Sequence, residues 1–473
     1  MKKYDLIVIG GGAGGLTVAA GSAMLGAKVA LIEKDRLGGD CLWYGCVPSK
    51  AFIEGSKISH YSRKGTELGL EIFGEVDIKK VLSRVDKAIE KIEEHDSIER
   101  FEKLGVDVYI GKGSFKNRNE ILIDNETTIC GKRIIISTGS RPMVPDSFNK
   151  SGISYYTNET IFKIKEKPKT LLIVGCGPIG LELAQSFNRL GTEVHIIQRG
   201  NQILKKEDKD IADEIFNILT SEGLNIHTET TIKEMYEESS NIKIKLERKG
   251  IVKDLDVDAV LVATGRKNNI DSLNLSNAGV KANEKFIPVN QYLQTNIKNI
   301  YAIGDVNGNY PFTHVAGYEG KIVVSNALLG LRRKVDYRNI PWVTYTDPEI
   351  FHLGLTEKDA IKEYGDSINV YKLDLGEVDR FVTDRNEKGF IKLITDKKGY
   401  ILGAHAIGKG SGDWMQTVIF AKNFKHKIGD LSMPIYPYPT HTEALNKVSG
   451  LYWQEKLKGI SSKLIKRYIR WFR

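Results

Sequence analysis

Tyr4-Asp5-Leu6-Ile7-Val8-Ile9-Gly10-Gly11-Gly12-Ala13-Gly14-Gly15 is the stretch that decides the fold. Tyr4 to Ile9 reads as a buried parallel strand, and Gly10-x-Gly12-x-x-Gly15 follows at once. Small residues then form a helix to about Leu25, and Lys28 to Ile32 gives a second strand that ends on Glu33. This is a βαβ unit with the dinucleotide fingerprint. The glycines let the backbone approach a pyrophosphate, the helix N-terminus meets its charge, and the acid bonds a ribose hydroxyl. The glycine spacing alone is a weak signal; strand, helix, second strand and acid in their required places make it specific. Met1-Lys2-Lys3 before a run without charge between Asp5 and Lys28 also has the look of a secretion signal. The glycines from Gly10 to Gly15 would break a membrane helix, and the nucleotide-binding unit explains the same residues.

The pattern recurs downstream. Thr170 to Val174 is a buried strand, Gly175-x-Gly177-x-x-Gly180 leads into a helix from Leu181 to Leu190, and Glu193 to Ile197 is its second strand. Two such units call for two dinucleotides, or one flavin and one nicotinamide. Gln198 and Arg199 stand where an acid would reject a 2′-phosphate, and Arg199 with Lys205 is suited to bind one. The expectation is NADPH, with NADH the alternative.

Between the units lies Gly38-Gly39-Asp40-Cys41-Leu42-Trp43-Tyr44-Gly45-Cys46-Val47-Pro48-Ser49-Lys50. The spacing of Cys41 and Cys46 lets one helical turn bring the sulfurs face to face, and a dithiol held so closes and reopens as a redox pair. A zinc site would need more ligands, and no His or Cys follows until His60, so no metal is expected. Asp40 is expected to raise the Cys41 thiol pKa, and Trp43-Tyr44 to shape the pocket.

The cysteine stretch and the two fingerprints resemble the pyridine nucleotide–disulfide oxidoreductases, to about residue 450. That resemblance implies an α/β fold of two Rossmann-like FAD/NAD(P)-binding domains plus an α+β C-terminal dimerisation domain. Residues 1–145 and 265–335 would form the FAD-binding domain, 146–264 the NAD(P)-binding domain and 336–450 the dimerisation domain. Gly10, Gly12, Gly15 and Glu33 would hold the ADP half of FAD. Ile134 to Pro142, with Gly139, resembles the exit from the FAD domain, and Thr264-Gly265-Arg266 the exit from the second domain. A strand from Thr295 through Ile300 that ends in Gly304-Asp305 would return the chain and place Asp305 on the flavin's ribityl chain. Gly175, Gly177, Gly180 and Arg199 would bind the nicotinamide cofactor. Cys46 would be the flavin-facing sulfur, Cys41 the exchanging one, Lys50 the lysine near the flavin and Glu182 its ion-pair partner. Strands in Pro341–Glu349, Gly389–Ile394 and Tyr400–Ile407 resemble the interface domain and imply a homodimer.

The C-terminal signature departs from the family's usual His-Pro-Thr-x-x-Glu. Tyr438 stands where the histidine should be, while Glu443 is kept. A phenol with a pKa of about 10 is a poor base where imidazole, at about 6.5, is well suited. His441 is the other candidate base, read here as a polar residue at a helix start. Mercuric reductases resemble this chain in carrying tyrosine at that point, and Tyr155 falls where they have a second active-site tyrosine. They also end in a vicinal cysteine pair, whereas here no cysteine follows Cys176.

The chain has 473 residues, 41% apolar and 27% charged, enough for about three globular domains. Four cysteines do not make a secreted disulfide scaffold, so a reducing cytoplasm is expected. Of the net charge of +9, the tail 451–473 supplies seven Lys/Arg against one Glu. No groove-reading motif supports nucleic-acid binding. In the tail, Leu457, Ile460, Leu464, Tyr468, Trp471 and Phe472 share one helical side, opposite a basic one. That pattern suits either an anionic lipid surface, making the protein peripheral on the inner membrane face, or packing on the subunit body. The sequence therefore describes an FAD-dependent NAD(P)H oxidoreductase that passes electrons through Cys41–Cys46 to a disulfide or metal-ion acceptor. Dihydrolipoyl dehydrogenase and a membrane-associated quinone reductase are the alternatives, and a lipid-docked scaffold without activity is the non-enzymatic one.

Overall fold

The computed structural model describes residues 1–472 except 73, 239, 240 and 459, with the side chains of 460–464 also outside the description. The chain divides into two compact units. One comprises Met1–Gly175, Ser186–Ile197 and Thr231–Asp336; the other comprises Cys176–Gln185, Gln198–Thr230 and Tyr337–Arg473.

The first unit is built on the opening βαβ pattern. Strand β1 (Lys3–Ile9), helix α1 (Ala13–Met24) and strand β2 (Val29–Glu33) follow each other as the sequence predicts. With β3 (Val106–Ile110), β4 (Gly113–Phe115), β5 (Glu120–Ile123) and β6 (Thr127–Ile136) they form a sheet of order β3-β2-β1-β6-β5-β4. Ile300–Ala302 pairs parallel with the far side of β6. β1 is parallel to both neighbours, with Leu6 opposite Val29 and Arg133. Its alternate residues serve two cores: Leu6 and Val8 pack with Leu16 and Ile322, Ile7 and Ile9 with Phe115 and Ile300. A parallel strand covered on both faces reads as an unbroken apolar run.

α1 is short because its small residues serve packing. A Cβ on Gly14 would lie 3.1 Å from Ile303 Cδ1 and 3.3 Å from the Ala316 carbonyl oxygen, so α1 meets the helix Thr313–Leu328 almost backbone to backbone. The uncharged N-terminal run is thus a buried nucleotide-fold helix. Among the described residues no helix is long and apolar enough to cross a membrane.

The same unit holds a second parallel set, in which Thr170–Val174 pairs with Glu193–Ile197 and Ala259–Val262. An antiparallel hairpin, Asn241–Arg248 with Ile251–Val257, packs Ile242, Ile244 and Leu246 against Leu172 and Val260. The two predicted exits, Ser140–Pro142 and Arg266–Asn268, run side by side as an antiparallel pair. The strand expected from Thr295 is confined to Ile300–Ala302. Thr295 instead closes a turn: its N–H donates to Ile300 O at 2.9 Å and its hydroxyl accepts from Ile297 N–H at 3.1 Å.

The second unit centres on an antiparallel sheet of five strands. Their order is Pro341–Thr344, Glu349–Gly354, Ile401–Gly408, Phe390–Asp396, Ile368–Asp374. The region expected as strand from Pro341 to Glu349 is broken at residues 345–348, and Ile368–Asp374 was not anticipated. One face of the sheet packs Phe351, Leu393 and Ala406 against Leu445 and Val448 of the helix Glu443–Lys458. That helix continues across residue 450, with Tyr452 buried in the same core. A further helix covers Ile460–Trp471, where Tyr468, Trp471 and Phe472 are exposed; Ile460 and Leu464 of the expected apolar side lie outside the described side chains.

Candidate active site

Gly38 and Gly39 bring the cysteines to the first fingerprint. Gly39 has φ +62°, and a Cβ there would lie 2.7 Å from Gly12 Cα. The cysteine segment therefore touches the fingerprint loop backbone to backbone, which only glycine allows. The expected single helical turn is broken: Cys41 lies in α2 (Gly39–Trp43), and Cys46 opens α3 (Cys46–Lys64) after a break at Tyr44-Gly45.

The two sulfurs are unlike. The Cys41 thiol bonds to Cys46 and, with the Thr313 hydroxyl and the Lys50 charge, brings the Cys46 thiol down to about 6, against the opposing effect of burial. Thr313 Oγ1 lies 3.4 Å from Cys46 Sγ. The Cys41 thiol is pushed up, first by the same bond to Cys46 and then by burial. Asp40 adds to that rise as expected, but it is the smallest of the named causes. The reduced pair thus loses its first proton from Cys46. Cys41 and Thr313 line a mostly apolar cavity of about 320 Å³, together with Leu16, Phe101, Asp96 and Arg100.

Asp40 has a counter-charge that the sequence reading missed. Arg266 Nη2 lies 3.0 Å from Asp40 Oδ1, and Asn158 Nδ2 donates to the same oxygen at 3.4 Å. Arg266 also donates from Nε to Ser140 Oγ at 2.7 Å and lies 3.7 Å from Asp305 Oδ2. Ser140 donates to Asp305, whose carboxyl is held up by burial. One guanidinium thus ties both exits to Asp40 and Asp305. Only its place after Thr264-Gly265 hinted at this. Trp43 and Tyr44, expected to shape the pocket, hold Arg36 instead: its guanidinium sits 3.5 Å from the Trp43 ring centre and 3.3 Å from Tyr44 Oη.

The fingerprint residues fit a dinucleotide. Gly10 takes φ +105°, and Gly12 offers no capping side chain, which leaves the first N–H groups of α1 to an anion. Glu33 is buried and accepts from Gly11 N–H at 2.6 Å, so the acid sits at the loop with lone pairs left for a ribose hydroxyl. Gly15 lies in α1 and Gly139 in the exit turn, with φ +65°. In the second fingerprint Gly175 has φ +114°, Gly177 leads into the helix Pro178–Arg189, and Gly180 lies in its first turn. There Gln198 Oε1 accepts from Cys176 N–H at 3.5 Å, the position matching Glu33 and Gly11, but without charge. Arg199 and Lys205 are exposed. Burial raises the Cys176 thiol to about 12, which leaves it inert.

In the second unit Glu182 is buried and accepts from Tyr345 N–H at 2.9 Å. Tyr438 is 71% exposed and donates to Asp379 Oδ2 at 2.8 Å, a bond that raises its pKa further. Glu443 pairs with Lys447 at 3.4 Å. His441 packs tilted against Phe381, bonds Asp384 at 3.1 Å, and its carbonyl accepts from Ala444 N–H in the first turn of the helix. Burial lowers its pKa. Tyr155 donates to Asn149 Oδ1 at 2.8 Å.

The profile of the "Pyridine nucleotide-disulphide oxidoreductase" family matches residues 4–320, and that of its dimerisation domain matches residues 340–449. The chain belongs to the pyridine nucleotide–disulfide oxidoreductase family. It is therefore a flavin-dependent oxidoreductase of the class that uses FAD and NAD(P)H. It is 35% identical to a mercuric reductase of Lysinibacillus sphaericus over 97% of this chain and 84% of that protein. A dihydrolipoyl dehydrogenase of Bacillus subtilis is 31% identical over 94% of this chain and 97% of its own length. Among solved structures, the Cu(II) complex of the HOCl-induced flavoprotein disulfide reductase RclA from Escherichia coli superposes with a TM-score of 0.85. That similarity holds at 28% identity and covers 95% of this chain and 100% of that one.

Proposed function

We propose that this enzyme uses NADPH to reduce the Cys41–Cys46 disulfide and passes the electron pair to a soft metal ion. The observation that carries this reading is the state of Tyr438. A phenol already bonded to Asp379, with its pKa raised, cannot take the proton of the exchanging thiol. Reducing a disulfide substrate needs that proton moved on and off sulfur, whereas a metal ion needs only thiolates. A mercuric reductase among the relatives and Cu(II) bound to RclA agree with such an acceptor. Small disulfides are the second reading.

When bound, FAD supplies a two-electron relay between NADPH and the disulfide. This chain's residues do the rest. Gly10, Gly12, Gly15 and Glu33 would hold the adenosine diphosphate of FAD, and Gly139 and Asp305 would help hold the rest of that cofactor. Cys46, its thiolate helped by Lys50, would be the sulfur that exchanges electrons with the flavin, and Cys41 would meet the acceptor. Gly175, Gly177, Gly180 and Arg199 would take the NADPH. The division into FAD-binding, NAD(P)-binding and dimerisation domains, and a homodimer built on the last, belong to this reading. The enzyme would act in the cytoplasm. Per turnover, NADPH and two Cu²⁺, or one Hg²⁺, give NADP⁺, one proton and two Cu⁺ or one Hg⁰. The test is anaerobic reduction with NADPH, then stopped-flow reoxidation by Cu²⁺, Hg²⁺, disulfides and quinones. Fast reoxidation by a metal ion that is lost in Cys41→Ala supports the proposal; reoxidation by quinone alone, unchanged in Cys41→Ala, refutes it.

A further inference from the structure

A second group of metal-ligating side chains lies in the unit built on the antiparallel sheet. His352 and His405 stand directly opposite each other on paired strands, and both are buried. Their rings meet edge to face, with centres 4.5 Å apart. Glu207 reaches them from the segment Gln198–Thr230 of the same unit. One ligand atom from each of the three lies within 4.8 Å of the others.

The hydrogen bonds sort the atoms. His352 Nε2 bonds the Gly354 carbonyl oxygen at 3.0 Å, and His405 Nε2 bonds the Leu355 carbonyl oxygen at 2.9 Å. A carbonyl only accepts, so both rings carry a proton on Nε2, and both Nδ1 atoms are turned to the interior. His352 Nδ1 lies 2.8 Å from Glu207 Oε2. His405 Nδ1 is buried with no hydrogen-bond partner among the described residues. Trp342 Nε1 donates to Glu207 Oε1 at 2.7 Å and its ring stacks on His352, which fixes the carboxylate and leaves Oε2 for the site. Histidine ligands in metal sites are held this way, with the distal N–H on a backbone carbonyl.

Charge points the same way. Lys392, opposite His405 on the next strand, is surrounded by Asp208 at 2.9 Å, Asp210 at 2.7 Å and Glu357 at 3.2 Å. Asp210 is shared with Lys372 at 3.4 Å, so that with Glu207 four carboxylates stand against two ammonium groups in this part of the unit. A lone pair on a buried nitrogen without a donor is costly, and a cation would satisfy it.

We infer that Glu207 Oε2, His352 Nδ1 and His405 Nδ1 form a buried site for a zinc-class divalent ion. The ion replaces the proton between His352 and Glu207 and clamps the Gln198–Thr230 segment to the sheet. Zinc bonds of about 2.0–2.2 Å place ligand atoms about 3.3 Å apart, so His405 must move in by at most about 1.5 Å. The proposal is independent of the Cys41–Cys46 chemistry.

The test uses full-length Cys41→Ser/Cys46→Ser protein, which removes the competing thiolates, produced with its flavin in zinc-supplemented medium and dialysed against micromolar Zn²⁺. The expected result is about one Zn²⁺ per chain, with X-ray absorption showing two imidazoles and oxygen but no sulfur. His405→Gln in that background should lose at least nine-tenths of the zinc. Absence of retained zinc, sulfur ligation, or unchanged zinc in a folded His405→Gln protein would overturn the site. Should His405→Gln fail to fold, the absorption spectrum of the parent decides alone.

Discussion

Replacing Thr313 by Val should unseat the Cys46 thiolate. The hydroxyl lies 3.4 Å from Cys46 Sγ and is one of the groups that hold its thiol near 6. A hydrogen bond to a charged partner contributes about 1.5–3 kcal/mol, and 1.36 kcal/mol corresponds to one pKa unit, roughly. Because the Cys41 thiol and the Lys50 charge still hold the thiolate, the lower end applies, and the midpoint should rise from about 6 to about 7. Valine keeps the shape and the start of the helix Thr313–Leu328. The assay is the pH profile of iodoacetamide labelling of the dithiothreitol-reduced protein, with the Cys46 peptide followed by mass spectrometry. The sign is fixed: the thiolate is present above the folded pKa and labelling falls as pH drops through it. Lys50→Met should move the midpoint the same way by less, since its charge is the weaker cause. Equal midpoints in wild type and Thr313→Val would refute the assignment of the thiolate to this environment.

Other outcomes follow from the same geometry. Arg266→Gln should destabilise the protein by about 1–3 kcal/mol and weaken flavin retention, because it leaves Asp40 and Asp305 without their shared cation; urea unfolding and the flavin-to-protein ratio check this. Tyr438→His should raise kcat/KM for a small disulfide by about tenfold or more while leaving metal-ion reduction nearly unchanged, since it restores a base that only the disulfide reaction needs. Arg199→Ala should lower kcat/KM for NADPH by about 10–100-fold with little effect on NADH, the loss of one charged contact to the 2′-phosphate.

The parts of the fold fixed by backbone geometry were legible in the sequence. Gly10, Gly12 and Gly15 between an apolar run and Glu33 admit essentially one arrangement, and β1, α1 and β2 fall where they predict. The two exit turns at Gly139 and Gly265 were legible for the same reason, but the pairing of the strands that follow them was not. What escaped depends on contacts between distant segments. The hairpin Asn241–Arg248 with Ile251–Val257 is rich in charge and only one face is buried, so its signal is faint. Arg266 finds Asp40 only once the exits are side by side. The break between Cys41 and Cys46 arises at Tyr44-Gly45, where a regular helix had seemed the simplest path. Opposition of His352 and His405 needs the antiparallel register, which no local pattern states. The departure at Tyr438 was visible in the sequence, but its bond to Asp379 was not.

The central claim is that Cys41 and Cys46 exchange electrons with the bound flavin. Anaerobic titration of the purified holoenzyme with dithionite, followed by its visible spectrum, measures this directly. The account predicts that wild type takes up one more electron pair per flavin than Cys46→Ser before the flavin is fully bleached. Identical uptake by the two proteins would contradict it.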